Sequence, residues 1–261
     1  MFYRYLYRAS WFCLFFLVQK DVSAALQDEI QVYDDTINQP QQWGLELHTN
    51  ITPAGQSAPN TVVPGVAGNV HGLRNTFEGS YGLSSTLEAG LYIPIVTAPY
   101  YGTEFAGPRF RLKWIPKQAP NGGLFYGLNV ELSDVKAQYI PYQYESEVRP
   151  ILGYRTPEWL LVTNPVLDYP LKSGYRQNGP SFAPAFKVGR TVTEGFSSGF
   201  EYYTDLGQPA LGLPPFINQY HVLFAVIDVD RKPWVFNFGI GHGLTPVSSS
   251  WTVKSIFEIP I

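Results

Sequence analysis

Charged and polar residues recur at every second position in several stretches of this 261-residue chain. Arg109, Arg111 and Lys113 alternate with Phe110, Leu112 and Trp114, and Asn129, Glu131 and Ser133 alternate with Val130 and Leu132. Glu145, Glu147 and Arg149 make a third row, and Glu201, Tyr203 and Asp205 a fourth, preceded by Lys187. Nearer the start, Glu46 and His48 form one pair, Arg74 and Glu78 share a parity, and Glu88 stands alone. In an extended chain, residues two apart project to the same face, so each row is a polar stripe backed by an apolar one. Neighbouring stripes of opposite sign can do two things. The basic row can select an anionic solute, or the rows can neutralise each other as salt bridges filling a narrow interior.

Catalytic and ligand-binding patterns are weaker. Gly195-Phe196-Ser197-Ser198-Gly199 fits G-x-S-x-G, whose chemistry needs a strand-to-helix elbow that exposes the serine; here it falls on a turn entering a strand, and the match is coincidental. His48 and His242, with Ser248 to Ser250, are the other candidates for hydrolysis, but polar residues in an interior and at a rim explain them better. No H-E-x-x-H, Walker or dinucleotide motif occurs, so no catalytic residue, metal ligand set or cofactor is expected. Cys13 is the sole cysteine.

The elements that must carry these stripes are strands. The last stretch, 251–261, places Trp251, Val253, Phe257 and Ile259 on one face and Thr252, Lys254 and Glu258 on the other. Such a terminal strand needs a partner for its edge, and 43–51 can supply it by closing a sheet into a barrel. Twelve strands are expected, at 43–51, 73–82, 86–96, 105–115, 124–135, 144–154, 159–169, 181–192, 196–206, 220–229, 234–242 and 251–261. Short turns alternate with longer connections rich in Pro, Gly and Tyr, as in transmembrane barrels with short periplasmic turns and longer outer loops. Segment lengths match the roughly 9 to 11 residues that a tilted strand needs to cross a bilayer. Tyr and Trp gather near strand ends (Trp43, Tyr81, Trp114, Tyr144, Tyr154, Trp159, Tyr169, Tyr220, Trp234, Trp251), where an aromatic girdle belongs. With the apolar parity facing lipid, the charged rows line the lumen. On the eleventh strand Asn237, Gly239 and Gly241 turn inward and leave local room.

Residues 1–24 read as a secretory leader: Arg4 and Arg8, an apolar run from Ala9 to Val18, then Val22-Ser23-Ala24 as a cleavage site. Residues 25–42, with Asp28, Glu29, Asp34 and Asp35, read as a periplasmic lead-in, and 43–261 as the barrel. Taking Arg4, Arg8, Lys20 and Asp21 from 18 basic and 21 acidic residues leaves 15 and 20, which gives no basic patch for nucleic acid. Without Cys13 the mature chain has no disulfide. Aromatics reach 16% while mean hydropathy is only -0.08, as expected when lipid-facing and lumen-facing residues cancel.

The runs Gln27-Asp28-Glu29-Ile30-Gln31-Val32-Tyr33, Trp43-Gly44-Leu45-Glu46-Leu47-His48, Gly107-Pro108-Arg109-Phe110-Arg111-Leu112-Lys113-Trp114 and Gly127-Leu128-Asn129-Val130-Glu131-Leu132-Ser133 resemble a proteobacterial outer-membrane barrel family. That family is labelled MetA-pathway of phenol degradation, or transporter-like outer-membrane protein. The resemblance implies a Gram-negative envelope location and uptake of small compounds, aromatic ones among the candidates. It supplies no catalytic residues. Outer-membrane barrels usually end in an aromatic residue, whereas this chain ends Glu258-Ile259-Pro260-Ile261. The expected partners are outer-membrane lipid and lipopolysaccharide, the barrel-assembly machinery and an unidentified small solute. The expected function is a passive pore, with a closed structural or ligand-binding barrel and a lipid-modifying enzyme as alternatives.

Overall fold

The computed structural model describes residues 29–55, 67–99, 101–140, 142–172 and 178–260. The expected leader, 1–24, lies outside them. Among the described residues no helix is long and apolar enough to cross a membrane; the chain crosses with strands.

Fifteen strand segments form one antiparallel sheet: β1 Trp43–Ala54, β2 Leu73–Gly82, β3 Leu87–Ala98, β4 Gly102–Phe105, β5 Arg109–Lys117, β6 Gly123–Asp134, β7 Tyr144–Arg155, β8 Trp159–Asn164, β9 Leu167–Pro170, β10 Ser181–Phe182, β11 Ala185–Thr193, β12 Phe196–Asp205, β13 Tyr220–Arg231, β14 Trp234–Gly243 and β15 Trp251–Pro260. Taken as single interrupted strands, β4 with β5, β8 with β9 and β10 with β11 reduce these to the twelve expected crossings. The sheet closes where β1 pairs β15, from Gly44↔Pro260 to Ile51↔Val253, and the wall between is continuous through β7–β8 and β8–β11. Closure pairs the described crossings with a neighbour on either side, with β4 pairing β3 alone.

Prolines account for the interruptions. Pro108, Pro165 and Pro184 lack the N–H that a ladder requires, and each lies in a gap between paired segments. At the first gap, Gly107 has φ +126°, and a Cβ there would lie 1.9 Å from the Asp134 carbonyl oxygen, so only glycine fits. Pairing resumes around it through Ala106 N–H to Pro94 O and Asp134 N–H to Pro108 O. The connection expected as a loop over 97–104 is instead largely hairpin, with Ile95↔Phe105 through Ala98↔Gly102 in register.

The two faces are inverted relative to a water-soluble protein. Outside stand Phe110, Leu112, Trp114, Leu124, Leu132 and Phe200, each about half exposed, while Arg111, Glu131 and Glu201 on the alternate positions are buried. An exposed apolar belt of this extent requires lipid to cover it. The short connections 83–86, 118–122, 156–158, 194–195 and 232–233 share one end; the longer ones emerge at the other. There, Ala67, Val96, Ala98, Ala106, Val135, Tyr139 and Ile140 form a small apolar cluster. Two 3-10 turns, Pro209–Leu211 and Phe216–Asn218, shape the loop before β13.

Of residues 29–42, expected below the wall as a lead-in, 29–35 run inside it, while 39–42 are exposed beside Gly82 at the short-turn end. Ile30, Val32 and Tyr33 are buried among Ile115, Phe125, Ile151, Val162, Val222, Phe224 and Val226, all inward-pointing wall residues. This apolar strip of the lumen accepts an apolar segment, which removes both surfaces from water.

Candidate functional site: the lumen and its inserted segment

The wall's charged rows meet as networks. Arg111 on β5 donates from Nε to Glu78 Oε1 at 2.5 Å, and its terminal nitrogen lies 2.8 Å from Glu88 Oε1. His48 Nε2 is 3.3 Å from Glu46 Oε2 and 3.4 Å from Glu78 Oε2. Further along, Arg109 reaches Glu131 at 3.3 Å, and Asn129 donates to the other Glu131 oxygen at 2.8 Å. On β7, Arg149 grips Glu147 through two nitrogens, at 2.6 and 3.1 Å. Lys187 stands between Glu201 at 3.1 Å and Asp228 at 2.9 Å, and Lys254 also pairs with Glu201. Asp205 accepts from Ser181 at 2.7 Å, while Arg74 lies fully buried on β2. Glu145 is half-buried towards the long-loop end of β7. The basic row of β5 is therefore largely paired rather than free to face a solute.

The inserted segment is fastened at six positions between Ile30 and Asn38. Lys254 donates to Ile30 O at 2.8 Å and Arg149 to Gln31 O at 3.0 Å. Asn164 holds Tyr33 from both sides, accepting from its N–H at 2.7 Å and donating to its carbonyl at 2.9 Å. Lys113 donates to Thr36 O at 2.7 Å, and Asp35 accepts from Ala119 N–H at 2.7 Å and from Arg155 at 2.6 Å. Asn38 donates its N–H to Glu88 at 2.6 Å and its side-chain amide to Ser80 at 2.8 Å. These bonds satisfy backbone groups that an extended segment cannot satisfy within itself.

Tyr33 is the centre of this arrangement. Its hydroxyl lies 2.5 Å from that of Tyr92 and donates to Glu131 at 3.3 Å. Its ring faces Arg149 at 4.4 Å, Lys113 at 4.8 Å and Arg111 at 5.7 Å. Cations over an aromatic face attract it, more so when desolvated.

Inward glycines make room that wall side chains then use. A Cβ at Gly241 would lie 2.5 Å from the Phe224 ring, one at Gly153 2.0 Å from the Phe125 ring, and one at Gly239 3.1 Å from the Lys254 stem. The room expected at Gly239 and Gly241 is thus filled. Pattern reading also passed over Tyr92, Asn164, Asp228 and Lys254. Lys254 and Tyr92 stand on the inward parity of their strands, a usable signal; Asn164 and the apolar Ile30-x-Val32-Tyr33 run gave a weaker one.

The hydrolytic candidates do not assemble. Ser197 and Ser198 sit in β12, paired to Thr191 and Arg190, with no helix after them. His242 is exposed, bonds the Ser250 carbonyl at 2.8 Å and packs on Trp251. Ser248 accepts from His221 N–H at 2.8 Å and contacts Thr245.

No protein-family model matches the sequence, and no curated protein matches it. Among solved structures the chain is similar to the COG4313 outer membrane channel from Pseudomonas putida F1, at 9% identity and TM-score 0.59, over 89% of this chain and 100% of that one. It is also similar to the KdgM porin, at 9% identity and TM-score 0.49, over 83% and 98%. The first likeness shows a shared barrel fold.

Proposed function

We propose that this chain is an outer-membrane barrel that passes small solutes through a narrow lumen, kept shut at rest by residues 29–42. The observation that carries this reading is that residues 30–38 of the inserted segment are held by side chains rather than by the sheet: Lys254, Arg149, Asn164, Lys113 and Arg155 each contact them, and backbone pairing with β2 begins only at Gln41 and Gln42, which bond Gly82. A segment fastened by separate polar contacts can leave the lumen without opening the wall, whereas a strand of the sheet cannot. The interior left behind would be lined by the paired charges of β1 to β7 on one side and by the apolar strip of β13 on the other. Such a lumen suits small solutes with an apolar and a polar part. Aromatic compounds are in that class, and the sequence resemblance points the same way. Lipid and lipopolysaccharide would cover the exposed belt, and the barrel-assembly machinery would insert the chain.

The test is planar-bilayer recording of the refolded, leader-free protein, with its folded state checked by a heat-modifiable gel band. Wild type should open rarely. Asn164→Ala removes two hydrogen bonds to Tyr33, and at about 1 kcal/mol each its open probability should rise by about tenfold or more. Folded wild type and variant that are both silent would favour a closed structural barrel instead.

A further inference from the structure

We propose that Glu46, His48 and Glu78 form a site for a divalent metal ion of the zinc class within the lumen. The strands dictate the convergence. Glu46 and His48 are two residues apart on the inward face of β1, and the β1–β2 register sets Glu46 directly opposite Glu78. One nitrogen and two carboxylate oxygens lie within 4.8 Å of one another. From His48 Nε2 the two oxygens are 3.3 and 3.4 Å away. Ligands bound tetrahedrally at about 2.0 to 2.1 Å stand roughly 3.3 to 3.4 Å from each other, so both His48 distances are those of neighbouring ligands around one ion.

Two further observations separate this from an ordinary hydrogen-bonded pair. His48 and Glu78 are 0% and 1% exposed, and His48 Nε2 faces the two carboxylates at 3.3 and 3.4 Å as ion pairs rather than in a short, well-aligned hydrogen bond. A proton shared between imidazole and carboxylate would bring those atoms into hydrogen-bond geometry. Charge balance also asks for a cation. On its other side Glu46 faces Glu258 of β15, so three carboxylates stand in line across β15, β1 and β2, an unfavourable arrangement without a counter-charge. Of the neighbouring cations, Arg111 is shared between Glu78 and Glu88, and Lys113 donates to the Thr36 carbonyl. Arg111 also holds Glu78 by Oε1, which leaves Oε2 turned to His48. An imidazole with carboxylates suits zinc and its neighbours, and three protein ligands leave a fourth position for water.

The site stands whether or not the lumen conducts. The test uses the leader-free barrel, refolded, stripped with chelator and titrated with Zn2+ alone by calorimetry, followed by zinc-edge X-ray absorption. About one ion per barrel is expected, with nitrogen and oxygen neighbours at about 2.0 to 2.2 Å and no sulfur. Glu46→Gln and His48→Gln should each weaken binding by at least about tenfold, while Glu158→Gln in an exposed turn should not. If the variants do not give a folded band, the wild-type absorption spectrum decides by its nitrogen neighbour. A folded wild type that takes up no zinc, folded variants that bind like wild type, or a spectrum without nitrogen would each return His48 to the role of a charge partner.

Discussion

Leu91 and Glu131 test the two faces of the wall one residue at a time. Leu91, in the middle of β3, is 38% exposed on the apolar belt; Glu131 on β6 is 1% exposed and bonded to Asn129, Arg109 and Tyr33. An arginine on the lipid face near the bilayer midplane costs about 2 to 4 kcal/mol, so Leu91→Arg should lower the urea midpoint for folding into vesicles and block assembly. Glu131→Gln keeps shape and hydrogen-bonding oxygen, leaves Arg109 close to Glu29, and should still yield a heat-modifiable band. Equal tolerance of the two changes would sink the assignment of faces. At this scale the sequence was legible where parity rules: Arg111 and Phe110 declare opposite faces because a strand has period two. It was not legible where a side chain reaches across the lumen. Nothing in the spacing of Asn164 announces that it will clasp Tyr33, since that contact joins residues 131 positions apart. Similarly, Gly239 and Gly241 are visible as gaps, but what fills them, the Lys254 stem and the Phe224 ring, is set by neighbouring strands.

Elements were easier to read than their interruptions. The twelve crossings follow from alternation and turn residues, yet Pro108, Pro165 and Pro184 stood inside or beside strands drawn as continuous. The lead-in was harder still, because a short extended segment without periodicity carries no mark of where it docks. On the long-loop side, residues 135–140 are fixed by Tyr139, whose hydroxyl donates to Glu104 at 2.6 Å and whose ring joins the apolar cluster with Val96 and Val135. Burial first, and the hydrogen bond donated to Glu104 second, push the Tyr139 hydroxyl up to about 12. Since the folded value lies above the ordinary one near 10, the neutral form is favoured by folding. Its contribution is complete below about pH 10 and is lost as pH rises towards 12. In phenolate absorbance, wild type minus Tyr139→Phe should therefore show a step displaced to the alkaline side of an ordinary tyrosine. A step at the ordinary position would mean that the loop does not pack as described.

For the whole molecule, the balance of fixed charge decides what an opened lumen would prefer. Around β1 to β5, Glu46, Glu78 and Glu88 are answered chiefly by Arg111; around β7 and β9, Glu145, Glu147 and Asp168 surround Arg149; and Lys187 and Lys254 share Glu201 and Asp228. The first two groups lean negative and the third is balanced, even after Glu29, Asp34 and Asp35 leave with the inserted segment. A low-dielectric cavity with excess carboxylates concentrates cations and repels anions. The basic row of β5, which alone would favour anionic solutes, is outweighed by the rows beside it. In a potassium chloride gradient, the reversal potential of the opened Asn164→Ala barrel should thus indicate cation preference. Arg111→Ser in the same background strips the counter-charge from Glu78 and Glu88 and should move the potential further in that direction, with the heat-modifiable band retained. An anion-preferring pore, or an Arg111→Ser shift of the opposite sign, would show that β5 and not its acidic neighbours sets the field along the path.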